Sequence, residues 1–140
     1  MVSLKEKVEV EIENITTLIS ELRKIKNKRK KSTVELAGMG SFLLNFYTGI
    51  ENILKQILSA QKKTLPHTQS WHKDLLIEAS KKKIISDSLK EELSKYLAFR
   101  HFFAHSYGFL LKEEKIKPLV KKANNIFIRF KNEINKNLGK

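Results

Sequence analysis

The chain has 140 residues, 28 Lys+Arg against 15 Asp+Glu for a formal net charge of +13, and no cysteine. That length suits one domain, which buries roughly two-thirds of the surface its unfolded chain exposes and needs no covalent staple. The missing cysteine excludes a disulfide framework, a thiolate nucleophile and a sulfur-ligated zinc site, and fits a reducing cytoplasm. The cationic excess favours encounter with polyanions, RNA before membrane for a compact domain, although surplus lysine also serves as solubilising surface.

The opening MVSLKEKVEVEIEN alternates charged and apolar residues. It lacks the apolar core of a secretory signal and reads as folded protein. Ser3 with Glu6, Ser32 with Glu35 and Ser88 with Glu91 each place a hydroxyl three residues before a carboxylate. Helices are expected to begin at these three capping boxes. The first is expected from about Ser3 to Arg29, with Val8, Ile12, Ile15, Leu18, Leu22 and Ile25 forming an inward stripe at helical spacing. Its end is the basic stretch Lys28-Arg29-Lys30-Lys31, where positive charge suits a helix C-terminus.

The second helix is expected from Thr33 to about Lys62, with Leu36, Met39, Leu43, Phe46, Ile50, Ile53 and Ile57 as the seam of a bundle. Its charge-free run, Leu36 to Ile50, is shorter than a membrane span and contains Ser41, Asn45 and Thr48, so it reads as a buried central helix. The opposite side carries Gly38, Ser41, Asn45, Thr48 and Asn52, small and polar residues against which another helix, from this chain or a second subunit, is expected to pack. Pro66 then makes 64–69 a connector. A third helix is expected from Trp71 to about Lys82, and a fourth, capped by Ser88, carries Leu89, Leu93, Tyr96, Leu97 and Phe103. A fifth should span roughly Lys117 to Asn137, before Gly139. No strand or internal repeat is apparent, and the expected fold is all-α: an antiparallel bundle of four or five helices, one domain over residues 1–140.

The chemistry gathers in Phe99-Arg100-His101-Phe102-Phe103-Ala104-His105-Ser106-Tyr107-Gly108. Arg100 follows Leu89 by eleven residues. At about 100° per residue that returns it to within about 20° of the apolar stripe, so it points inward. A buried guanidinium needs a partner, either an acid such as Glu51 on the neighbouring helix or an anion entering a cleft. His105 would stand about 140° from Arg100 in an unbroken helix, so the two converge only if the helix ends between them. Gly108 offers that exit, while a histidine among phenylalanines also suits a purely structural role.

RHFFAHSY, residues 100–107, resembles at every defined position the R-x4-H-x-Y signature of the HepT branch of the HEPN superfamily, toxins encoded beside a minimal nucleotidyltransferase antitoxin. SFLLNFYTGIENILKQI at 41–57 and WHKDLL at 71–76 are similar to that branch's second and third helices. The resemblance implies that Arg100 and His105 form a ribonuclease site working without metal or other cofactor, that Tyr107 is the target of silencing AMP transfer by the antitoxin, and that the chain is a two-fold homodimer. Transfer RNA is the substrate class it implies. The chemistry suits these residues: attack of a ribose 2′-hydroxyl on the adjacent phosphorus needs a proton acceptor, a proton donor and positive charge on the phosphoryl oxygens. Imidazole titrates near neutrality and guanidinium offers phosphate a planar fork. The motif supplies one histidine per chain, which makes a dimer with facing motifs attractive.

His67, His72, His101 and His105 form no recognised metal-ligand spacing, and His101 reads as a surface or interface residue. AMP on Tyr107 would fill the anion site beside Arg100 and His105. Lys28, Arg29, Lys30 and Lys31 are candidates to hold an RNA backbone, with Lys62, Lys63, Lys81, Lys82 and Lys83 beyond them, although a solvated face is the simpler account of such a run. Two other readings stand beside the nuclease: a non-catalytic helical module that binds substrate or the nucleotidyltransferase, and a general nucleic-acid-binding bundle resting on charge alone.

Overall fold

Two of the three expected capping boxes form. In the computed structural model, which describes residues 2–61, 70–105 and 112–138, Ser3 caps α1 (Leu4–Lys26) and Ser32 caps α2 (Thr33–Ala60), each with the reciprocal glutamate bond in place. α1 stops at Lys26, short of Arg29, because the Ser32 cap fixes where α2 starts and residues 27–31 must make the turn. Its inward stripe is Val8, Ile15, Ile19 and Leu22, with Ile19 in the place expected for Leu18.

α3 (Trp71–Lys81) ends in a Schellman closure: Lys83 donates its N–H to the Ser80 carbonyl and Ile84 to that of Ala79. Lys83 takes φ 60°, a left-handed conformation usually given to glycine. The third capping box does not form. α4 (Asp87–Ala104) begins one residue before Ser88, with Ser86 as its cap accepting from the Leu89 N–H. Ser86 is held from outside the helix, its N–H and hydroxyl on Glu133 and its oxygen accepting from Arg129. α5 (Glu113–Ile134) starts four residues earlier than expected and continues into a 3₁₀ turn, Asn135–Asn137. Pro118 lies inside it as the sixth residue, past the free N–H groups of the first turn, and so leaves the Glu114 carbonyl without its i→i−4 donor, while Glu113 and Glu114 suit the positive end of the helix dipole.

α2 packs against each of the other four helices, and the described residues contain no strand, giving the expected all-helical bundle. Met39, Leu43, Phe46, Ile50, Ile53 and Ile57 are buried as the seam predicts, and Tyr47, Leu54 and Leu58 widen it. α1 approaches α2 closely at Gly49, where an added Cβ would lie 2.7 Å from Ile15 Cγ1. Among the described residues the polar side of α2 is left open: nothing stands within 4 Å of a Cβ built on Gly38, and Ser41 and Asn45 are exposed. Tyr96 joins α4 to α5 through its hydroxyl, 2.6 Å from the Leu119 carbonyl. No helix among the described residues is long and apolar enough to cross a membrane.

Candidate active site

α4 carries Leu89, Leu93, Tyr96 and Phe99 into the core, and Arg100 follows them inward, half-buried near the C-terminal end. Its guanidinium meets α3 rather than its own helix end, with Nη1 3.4 Å from His72 Nε2. The other ring nitrogen of His72, Nδ1, stands 2.7 Å from the carboxylate of Glu51, which is 2 % exposed in the middle of α2. Three helices thus contribute a chain of contacts, Glu51–His72–Arg100. The acid considered for Arg100 from the sequence reaches it through an intervening imidazole.

The protonation pattern of this chain follows from its ends. Arginine only donates, so a neutral His72 accepts at Nε2 and carries its proton on Nδ1, where the Glu51 carboxylate receives it. The imidazole is further fixed by Trp71, whose ring centroid lies 3.6 Å away, and Lys55 Nζ lies over that indole, 4.3 Å from its centroid. Tyr47, one turn before Glu51, buries its hydroxyl, which has no hydrogen-bonding partner among the described residues. Burial first and the Glu51 charge second push the Tyr47 hydroxyl well above the ordinary phenol range, with Arg100 opposing them. Arg100 itself is incompletely satisfied, because its buried Nε has no partner among the described residues.

His105 caps α4 and is exposed; its backbone N–H bonds to the Phe102 carbonyl, so the helix does end between Arg100 and His105. Its ring lies against His101, centroids 4.6 Å apart, and no contact joins it to Arg100 within the chain. His101 is exposed, in keeping with a surface position. Tyr107, Gly108, His67, Lys62 and Lys63 lie outside the described residues.

A family model described as HepT-like protein matches residues 38–138, well over half of the chain. The chain belongs to the HepT-like family. Comparison with curated proteins and with solved structures returned no match. The HepT-like match spans Glu51, His72, Arg100 and His105 and leaves out α1.

The basic run preceding the HepT-like segment is divided by the fold. Lys28 pairs with Glu35 at 2.6 Å and the nearly buried Lys31 with Glu113 at 2.7 Å, while Arg29 and Lys30 are exposed. A second basic surface lies nearer the motif: a groove of about 660 Å³ between α4 and α5, with Phe99, Phe102 and Pro118 in its floor and Lys95, Lys112 and Lys115 around it. Among the described residues no three His, Asp or Glu side chains converge as metal ligands.

Sequence reasoning missed His72 as a site residue and the bridge it makes. Two signals pointed to it: Glu51 is an acid at helical spacing from Tyr47, Leu54 and Leu58, and His72 stands three, four and seven residues before Leu75, Leu76 and Ala79. Both polar residues therefore belong to inward faces.

Proposed function

We propose that the chain is the toxin of a toxin–antitoxin pair, an endoribonuclease that cleaves RNA without metal, with Arg100 holding the scissile phosphate and His105 transferring a proton. The observation that carries this reading is the R-x4-H-x-Y signature at the end of α4 in a HepT-like chain, where an inward arginine keeps a buried donor unpartnered and an exposed imidazole follows at the helix end. An incompletely satisfied guanidinium is suited to an incoming phosphate, which offers it charge-assisted, bidentate bonds. The α4–α5 groove supports RNA as the ligand, since exposed Phe102 offers a stacking face and the lysines a track for the backbone. Transfer RNA is the substrate class proposed, in the cytoplasm, with a second copy of the chain facing the first across the motif.

Silencing is assigned to Tyr107, as acceptor of AMP from a cognate nucleotidyltransferase; the added phosphate would occupy the anion site and exclude RNA by charge and bulk. Purified protein incubated with transfer RNA in EDTA is expected to cleave it, and His105→Ala to stop cleavage. Intact RNA, or cleavage unchanged in that variant, refutes the nuclease. Co-expression with the nucleotidyltransferase should add AMP-sized mass that disappears in Tyr107→Phe; persistence of the addition refutes the silencing role. The engagement of Arg100 by His72 favours a second reading, a non-catalytic helical module that binds the nucleotidyltransferase, in which the arginine is a structural cation. It predicts binding of the nucleotidyltransferase without RNA cleavage.

A further inference from the structure

We propose that His72 is the general base of the reaction and that Glu51 is its positioning residue, an assignment that rests on the ribonuclease reading of Arg100 and His105. In-line displacement at phosphorus places the attacking and leaving oxygens on opposite sides, so the proton acceptor and donor must flank the phosphate. On this assignment His72 is the group on one side of the phosphate that Arg100 holds, and His105 the group on the other. His72 Nε2 lies 3.4 Å from the Arg100 Nη1 on the α3 side, and His105 is the C-cap of α4, exposed five residues beyond Arg100 in the chain.

The two imidazoles differ in environment, and the difference assigns their roles. Glu51, almost fully buried and 2.7 Å from Nδ1, fixes the proton there and leaves the Nε2 lone pair facing the guanidinium. When a phosphate takes over the Arg100 donors, that lone pair loses its partner and is free to accept a proton. The carboxylate then stabilises the resulting imidazolium, as the acid of a carboxylate–histidine pair does. The His72 side chain keeps 21 % of its surface exposed, so the ring is not sealed in the core. Among the described residues His105 has no carboxylate partner, and its exposed ring is open to a leaving oxygen.

The step balances within the RNA and the two rings. The 2′-hydroxyl gives its proton to His72 Nε2 as its oxygen bonds to phosphorus, the bond from phosphorus to the 5′ oxygen breaks, and the leaving oxygen takes a proton from His105. The products are a 2′,3′-cyclic phosphate and a 5′-hydroxyl, and solvent returns each ring to its starting protonation. Both proton-transfer groups then come from one chain, whatever a second copy adds.

The test uses the full chain and an RNA oligonucleotide spanning a site the wild type cuts in transfer RNA, made with oxygen or with sulfur at the 5′ leaving position. A thiolate leaves without a proton donor, so sulfur rescues loss of the acid and not loss of the base. His105→Ala is expected to lose on the order of 100-fold on the oxygen substrate and to recover most of it on the sulfur one. His72→Gln, whose amide can still donate to Glu51 and accept from Arg100, is expected to lose on the order of 100-fold on both. Its affinity for an uncleavable 2′-deoxy analogue should stay within about twofold of wild type, a result that loss of structure would not give. Should His72→Gln fail to fold, Glu51→Gln serves in its place, with a loss of about tenfold or more that sulfur does not rescue. Cleavage by His72→Gln close to wild type, or its rescue by sulfur, overturns the assignment. A wild type that cuts neither substrate overturns the nuclease reading instead.

Discussion

Replacing Gly49 by alanine places a methyl group against the side of Ile15, 2.7 Å from Cγ1 and 2.8 Å from Cδ1. Carbon atoms in contact prefer about 3.5–4.0 Å, so the overlap is on the order of 1 Å. Ile15 is fully buried and has no solvent to swing into, which leaves a strained rotamer or a shift of α1 away from α2. Overpacking of this kind costs about 1–3 kcal/mol, and the better helix propensity of alanine returns about 1 kcal/mol, for a net loss of about 0–2 kcal/mol. Gly38, on the same helix, supplies the control: its Cβ would meet nothing, so Gly38→Ala should stabilise the chain by about 1 kcal/mol through propensity alone. Urea unfolding at matched m-values measures both. Ile15→Ala in the Gly49→Ala background should cost at least about 0.5 kcal/mol less than the two changes summed, because the methyl then occupies the space vacated. Equal stabilisation by the two glycine replacements, or simple additivity with Ile15→Ala, refutes the close approach of α1 and α2.

Three further outcomes follow from the structure. Lys83→Gly relieves a left-handed residue in the α3 closure and should stabilise the chain by about 1 kcal/mol in the same urea assay; a loss would mean that φ is not positive there. Ser86→Ala removes the true cap of α4 and should cost about 1–2 kcal/mol, while Ser88→Ala should change stability by no more than about 0.5 kcal/mol; the reverse order would restore the cap expected from the sequence. Tyr47 and Tyr96 both have hydroxyl pKa values raised chiefly by burial. Their stabilising contribution is complete below the unfolded phenol value near 10 and is lost as pH climbs from there toward the raised native values, by about 1.4 kcal/mol per pH unit for each ring. Urea midpoints should therefore fall between pH 10 and 11, less steeply in Tyr47→Phe, and a flat profile would show that neither ring is sequestered.

What the sequence disclosed depended on how local the physics was. The boxes at Ser3 and Ser32 close through bonds three residues long, so their positions could be read directly. Ser88 offered the same pattern but lost to Ser86, which Glu133 and Arg129 hold from more than forty residues away. α5 starts four residues before Lys117, where Glu113 and Glu114 suit the positive end of the helix. The inward turn of Arg100 was legible from periodicity on α4, whereas its partner His72 lies 28 residues earlier on another helix. Periodicity could place both side chains on inward faces but could not join them across α3 and α4. Half of the basic run looked available because its acids, Glu35 and Glu113, come later in the chain.

The most direct test is the rate of RNA cleavage, with product ends mapped, for the wild type, Arg100→Ala and His105→Ala in EDTA. The wild type should yield 2′,3′-cyclic phosphate and 5′-hydroxyl ends, and each variant should be slower by on the order of 100-fold or more. Cleavage that persists at the wild-type rate in either variant, or ends of another kind, would contradict a nuclease built on these two side chains.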